Sequence, residues 1–250
     1  MKTEWDYTNL ADAYLHRPDY APVAIQEMLA RSGVKPGDDA CDVGAGAAHL
    51  TLELVRAGLK VCAVEPNDAM RANGMKRTKD YPNVSWFEGV GEDTGMESDK
   101  FQLVTFGSSF SVCDRQQALV ETNRILKSGG WFACMWNHRD LDDPLQKEIE
   151  EVIKRNIPGY QYGTRREDQT AVIEQSGLYK KVEFVSGQVV HHLAAEDFVE
   201  GWKSHATVYR QAPALFEKIV GEIRDVVASL HQETVAVPYT TQIWMAQVKK

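Results

Sequence analysis

From Ala40 onward the chain repeats one pattern: a short apolar run, a turn rich in glycine or aspartate, then a segment whose apolar positions recur at helical spacing. Ala40-Cys41-Asp42-Val43 is the first run. After Gly44-Ala45-Gly46, Leu50, Leu52, Leu54 and Val55 give an apolar face to a helix that Gly58 ends. Residues 60–64 form a second strand, Asn67 and Asp68 cap a helix through Met75, and residues 84–87 and 102–106 form a third and a fourth strand. Asp114 caps the helix carrying Leu119, Val120, Ile125 and Leu126, and Gly129-Gly130 turns the chain into a fifth strand, 131–136. Beyond Asn137 the rhythm loosens into a helix over 144–155, a polar Gly-Tyr stretch over 160–163 and a helix over 167–175. Residues 182–190 and 241–248 read as the sixth and seventh strands, with amphipathic helices over 196–205 and 214–231 between them.

This alternation predicts an α/β fold, a doubly wound, mostly parallel seven-stranded sheet covered by helices. No repeat, low-complexity tract or linker divides it, so residues 1–250 are expected to form one domain. Its parts are a helical N-terminal cap over 1–34 that ends at Gly33, a cofactor-binding core over 35–136, and lid insertions over 137–165 and 191–239.

A chain of 250 residues buries one substantial core, and 43% hydrophobic with 26% charged residues is the balance of a globular protein. The first residues carry no apolar stretch behind a basic start, and no run approaches the roughly 18 apolar residues of a membrane span, so a cytoplasmic protein without a membrane partner is expected. Cys41, Cys62, Cys113 and Cys134 form no C-x-x-C pair and read as free thiols, three of them in strands. A formal charge of -8 repels a polyanion and argues against a nucleic-acid substrate.

The glycine turn sharpens the chemistry. Gly44 and Gly46 follow a buried strand where the backbone must turn sharply and let a ligand approach, with the amides of the next helix expected to face that ligand. A dinucleotide fingerprint needs a third glycine, and His49 stands in its place. Asp42, two residues ahead of Gly44, repels a phosphate and welcomes an ammonium or sulfonium group. Glu65, nineteen residues past Gly46 at the end of the second strand, is placed to accept both hydroxyls of a ribose.

Asp42-x-Gly44-x-Gly46 with Glu65 resembles the class I S-adenosylmethionine-dependent methyltransferases. Gly91-Glu92 after the third strand, 106–110 after the fourth and 118–130 before the fifth extend the likeness, and 136–140 with 14–20 resemble the small-molecule, type 11 branch more narrowly. The departures are Ala48 for the commoner third glycine and His49. The resemblance implies a Rossmann-like sheet with its last strand antiparallel, S-adenosyl-L-methionine as cofactor and S-adenosyl-L-homocysteine as product. It places Arg17, Asp42, Gly44, Gly46, Glu65, Pro66, Asn67, Gly91, Glu92 and Gly107 around the cofactor. Arg17 is expected to pair with the cofactor's carboxylate, and Gly91-Glu92 to hold the adenine edge.

Methyl transfer from a sulfonium is an in-line displacement, in which the protein holds the acceptor's lone pair against the methyl carbon. No metal is expected: His191 and His192 are adjacent and point to opposite faces of a strand, with no acidic partner at a convincing spacing. Tyr14, His16, His138 and His205 are candidates for a base or orienting group; His138 ranks first, at the carboxyl edge of the fifth strand, with Tyr14 beside it. Tyr20, Ser109, Phe110, Arg139, Trp202 and Tyr209 are expected to line the acceptor pocket. An N or O atom of a small metabolite or natural product is the expected acceptor, in preference to the carboxyl of a small organic acid, because net acidity favours cationic or neutral acceptors. The alternatives are a nicotinamide dehydrogenase, which Asp42 and the missing glycine oppose, and a non-catalytic cofactor-binding protein; residues 106–109 lack the motifs of a base-flipping nucleic-acid enzyme. A monomer and a homodimer are both compatible with the chain.

Overall fold

The computed structural model describes residues 6–250, so the first five positions of the cap expected over 1–34 lie outside the described residues. The rest of the cap holds two 3₁₀ turns, Thr8–Leu10 and Ala13–His16, and helix α1, Pro22–Ser32, which Pro22 opens and Gly33 closes. The core then runs β1 (Asp39–Val43), α2 (His49–Arg56), β2 (Lys60–Val64), α3 (Asp68–Arg77), β3 (Val84–Phe87), β4 (Phe101–Gly107), α4 (Arg115–Ile125) and β5 (Leu126–Arg139). Beyond it lie α5 (Pro144–Asn156), α6 (Thr170–Gln175), β6 (Glu183–Ala194), α7 (Ala195–Trp202), α8 (Ala206–Gln211), α9 (Phe216–Ser229) and β7 (Thr234–Gln247).

The seven strands form one sheet in the order β3-β2-β1-β4-β5-β7-β6. The pairs from β3 to β5 are parallel, and β7 runs antiparallel to both of its neighbours, β5 and β6. Side-chain caps fix where the helices begin: Asn67 Oδ1 accepts from the Met70 amide at 3.0 Å, and Asp114 Oδ1 from the amides of Gln116 and Gln117 at 3.1 Å each. One face of the sheet buries Phe101, Phe106, Phe110 and Phe132 against Leu119 and Ile125 of α4. The other buries Leu103 and Met135 against Ile25 and Met28 of α1 and Leu50 and Leu54 of α2. A third cluster, with Ile149, Ile153, Phe198, Ile219 and Ile223, is the core of the lid.

Several elements depart from the sequence reading. β5 starts at Leu126, so Leu126 and the expected turn Gly129-Gly130 lie within the strand, and the helix expected over 196–205 ends at Trp202, with α8 following as a separate helix. β6 and β7 run on as an antiparallel ribbon in the register Val189–Tyr239, His191–Val237, Leu193–Val235, so the expected lid over 191–239 begins and ends as strand. Buried Val235 and Val237 alternate with exposed Thr234 and Ala236, but Pro238 has no amide to donate and hides the strand by reading as a breaker. The helix expected from 167 starts at Thr170, and Gly163–Arg166 forms a separate 3₁₀ turn. Among the described residues no helix is long and apolar enough to cross a membrane.

Candidate active site

At the carboxyl edge of β1, β2, β4 and β5 a cavity of about 490 Å³ adjoins a smaller one of about 100 Å³, the two sharing walls at Tyr14, Gly44, Gly46, Gly107 and Ser108. Open α/β sheets bind their ligands at this edge. Gly44 and Gly46 turn with φ of +66° and +56°, and a Cβ on Gly44 would stand 2.4 Å from that of Ser109. The amides of the loop itself are already used. Gly44 and Ala45 donate to Val64 O at 2.8 and 3.0 Å, and Gly46 donates to Glu65 Oε2 at 2.9 Å, because the loop closes onto the end of β2. A diphosphate would therefore find no amide from 44–46.

Glu65 is buried in the wall of the small cavity, its second oxygen accepting from the Asn67 amide at 2.8 Å. Burial raises its pKa, against the two backbone hydrogen bonds. Each carboxylate oxygen keeps a lone pair for a further donor. Pro66, Asn67, Gly91, Glu92 and Ser109 line the same cavity. Glu92 is held there by the Asp114 amide, which donates to its Oε1, while Ser109 donates to Val43 O. Asp42 borders the large cavity but is fully buried beneath the loop, taking the hydroxyls of Thr51 at 2.7 Å and Thr105 at 2.9 Å. Desolvation pushes its pKa up to about 6 against those hydrogen bonds.

The segment 14–21 crosses the cavity mouth as a strap. His49, at the start of α2, pins it: Nδ1 lies 2.8 Å from Asp19 Oδ1 and Nε2 3.1 Å from Tyr14 O. Asn137 Nδ2 donates to Asp19 O at 2.9 Å, and Ala21 N donates to Thr241 Oγ1 at 2.7 Å. These contacts set Tyr14, Arg17 and Tyr20 over the large cavity. Tyr20 Oη lies 3.1 Å from Ser108 Oγ. Arg17 packs 4.5 Å from the Tyr14 ring and donates from Nε to Ser204 Oγ at 2.8 Å and from Nη2 to Ser204 O at 3.0 Å, joining strap to lid.

His138, Arg139 and Trp202 also line the large cavity. His138 is buried and its Nε2 has no hydrogen-bond partner. Burial, with Arg166 and Arg165 nearby, pushes its pKa down to about 3, so the imidazole is neutral. Arg139 pairs with Glu150 at 3.2 Å and Gln146 at 3.0 Å and lies 4.6 Å over the Trp202 ring, which stacks on His205. His16 stands at the rim, 3.1 Å from Asp197.

Two expected lining residues lie elsewhere. Phe110 is fully buried in the sheet core against Phe106 and Phe132, since the turn after β4 points it inward. Tyr209 packs edge-on against Phe216, 5.2 Å between centroids, inside the lid. Ser109 belongs to the small cavity, on the far side of Gly44 from the acceptor space. Sequence reasoning missed Arg165 and Arg166, which line the large cavity from the 3₁₀ turn. Their signal was an adjacent Arg pair in the insertion after β5. The whole chain is acidic, yet the wall of this cavity carries more arginines than carboxylates among the described residues.

Residues 41–134 match the family model of the methyltransferase domain. Over this stretch the chain is similar to methyltransferase domains. An uncharacterised methyltransferase of Mycobacterium tuberculosis is 30% identical over 144 residues, 56% of this chain and 55% of that one; the chain spans about half the length of the curated relatives it matches. The chain superposes on the YcgJ protein of Bacillus subtilis with a TM-score of 0.58 at 14% identity, covering 91% of this chain and 99% of that one. Phosphoethanolamine N-methyltransferase 2 of Haemonchus contortus, solved with S-adenosyl-L-methionine, gives a TM-score of 0.52 at 17% identity, covering 90% of this chain and 52% of that one. At these identities the likeness is one of fold.

Proposed function

We propose that this chain transfers a methyl group from S-adenosyl-L-methionine to an N or O atom of a small acceptor. The observation that carries this reading is Glu65, a buried carboxylate oriented by two backbone amides beside a glycine loop whose own amides are already used. Such a donor set suits a nucleoside diol and a sulfonium better than a diphosphate. The residues present fit the cofactor: Glu65 for the ribose hydroxyls, Pro66, Asn67, Gly91 and Glu92 around the adenine, and Arg17 for the carboxylate. Gly44, Gly46 and Gly107 let the backbone come close, and Asp42 supplies negative potential from beneath the loop.

The cofactor, when bound, supplies a methyl carbon on a positively charged sulfur; held by Glu65, Asn67 and Arg17, it would give that methyl carbon to the acceptor's lone pair, with the electron pair of the broken carbon–sulfur bond left on sulfur. The strap and lid exclude water and orient the acceptor. His138, neutral with a free Nε2, receives the proton that an acceptor hydroxyl or amine gives up. Tyr14 and Tyr20 frame the boundary between the two cavities, with Arg139 and Trp202 on the acceptor side.

Incubation with methyl-labelled S-adenosyl-L-methionine and a panel of amines, phenols and organic acids tests the reading. Formation of S-adenosyl-L-homocysteine in step with one labelled product supports it; a protein that binds no S-adenosyl-L-homocysteine overturns it. With an acceptor in hand, His138→Asn is expected to lower kcat about 100-fold with cofactor affinity retained, and unchanged turnover removes His138 from the mechanism.

A further inference from the structure

The large cavity contains an electrostatic imbalance that the cofactor reading uses only through Arg17 and Asp42. Among the described residues, those lining it include five arginines, Arg17, Arg139, Arg165, Arg166 and Arg210, against one carboxylate, Asp42, which is spent on two threonine hydroxyls. Arg139 has its counterion in Glu150, and Arg17 is held by Ser204. Arg165 and Arg166 differ. Among the described residues neither has a carboxylate within ion-pair distance of it, apart from the more distant field of Glu150 on Arg166.

Their hydrogen bonds are also incomplete. Arg165 donates from Nη2 to Tyr160 Oη at 3.3 Å and Arg166 from Nη2 to Arg139 O at 3.4 Å, both long, and the Nε of each is buried without a partner. Burial lowers the pKa of both guanidinium groups, with repulsion from Arg17, Arg139 and Arg166 adding to it at Arg165 and repulsion from Arg139 at Arg166. Two adjacent, partly desolvated cations with unused donors cost folding free energy unless something negative completes them. Their orientation is nevertheless set: the Arg166 guanidinium lies 4.7 Å over the Tyr162 ring and that of Arg165 5.8 Å from it. A pair of guanidinium forks held on an aromatic ring is preorganised for planar, bidentate binding of an oxyanion.

We propose that Arg165 and Arg166 form an anion subsite of the acceptor pocket, so that the acceptor is a small organic anion, bearing a carboxylate or phosphate at the lid end and an apolar body along Trp136, Leu193 and Phe198. This rests on the methyltransferase reading in so far as the ligand is the acceptor, and it replaces the cationic or neutral acceptor that the net charge suggested. The same subsite gives the site an order of events. Burial is the larger cause of the lowered His138 pKa and the two arginines the smaller; an anion between them offsets their part, so His138 becomes a stronger base once the acceptor is seated.

The test titrates the full chain, saturated with S-adenosyl-L-homocysteine, with citrate and with inorganic phosphate, and repeats both with Arg165→Gln/Arg166→Gln. The expected result is saturable binding of at least one anion and a loss of tenfold or more in the double variant, with S-adenosyl-L-homocysteine affinity changed less than twofold. Tighter citrate points to a carboxylate acceptor, tighter phosphate to a phosphate ester. Arg166→Lys, which keeps the charge and loses the fork, is expected to weaken binding to an intermediate degree. The proposal is overturned if neither anion binds the wild-type protein, if the double variant binds as the wild type does, or if its S-adenosyl-L-homocysteine affinity falls tenfold, which would give these arginines to the cofactor. Failure of the wild-type protein to bind S-adenosyl-L-homocysteine refutes the methyltransferase reading alone, because the anion titration is then run on the ligand-free chain and still reports on the two arginines.

Discussion

A neutral imidazole buried beside two guanidinium groups couples folding to proton uptake. His138 is pushed from the ordinary 6.5 down to about 3, so between those limits the unfolded chain binds a proton that the folded chain refuses. Its contribution to stability is therefore greatest above pH 6.5 and falls as the pH drops. Between pH 7 and 5.5 it accounts for a loss of about 1 kcal/mol, at roughly 1.4 kcal/mol per unit of pKa difference. Urea melts at the two pH values are expected to show that His138→Gln loses less stability than the wild type by about that amount; equal losses would mean that the site is more hydrated than its burial suggests. The unpaired arginines give a prediction of the opposite sense. Arg165→Gln is expected to raise the melting temperature of the ligand-free protein by a few degrees, about 1 kcal/mol, since it relieves repulsion within the wall, and a fall in melting temperature would show that the charge is compensated.

At the scale of elements, the strap is held by few bonds that matter individually. Thr241 on β7 accepts the Ala21 amide and donates to Asn137 Oδ1 at 2.9 Å, both beneath α1. Thr241→Val keeps the shape and leaves a buried amide unsatisfied, at an expected cost of about 1–3 kcal/mol in denaturant unfolding; a cost near zero would show that water reaches the strap. Most elements were legible because apolar periodicity and caps at Asn67 and Asp114 act locally. The early start of β7 was not, since Pro238 breaks the local pattern while pairing with β6 supplies the strand from outside. The turn bearing Arg165 and Arg166 has no period of its own, and its place over the cavity depends on contacts with Tyr160 and Arg139 that nothing in its own sequence signals. Phe110 and Tyr209 were misplaced for a related reason: an aromatic residue near a site motif carries no mark of which way it points.

For the whole molecule, net charge and local field point in opposite directions. The chain carries -8, yet arginines outnumber carboxylates among the described residues lining its large cavity, so a bulk count does not report the local field that a ligand there would meet. The residues from Asp42 to Gly107 that the sequence assigned to a cofactor line the two adjoining cavities, because a glycine turn and a strand-end carboxylate are fixed by backbone geometry. The acceptor half is assembled from the strap, the lid and two long strands, and only the folded chain brings them together. The methyltransferase reading depends first on the small cavity and on Glu65. Calorimetric titration with S-adenosyl-L-homocysteine, with NADH in parallel, examines both. Micromolar binding of S-adenosyl-L-homocysteine, absent for NADH and weakened about tenfold or more in Glu65→Gln by loss of a charge-assisted hydrogen-bond acceptor, is the expected result. Binding of NADH instead, or S-adenosyl-L-homocysteine affinity indifferent to Glu65, would contradict it.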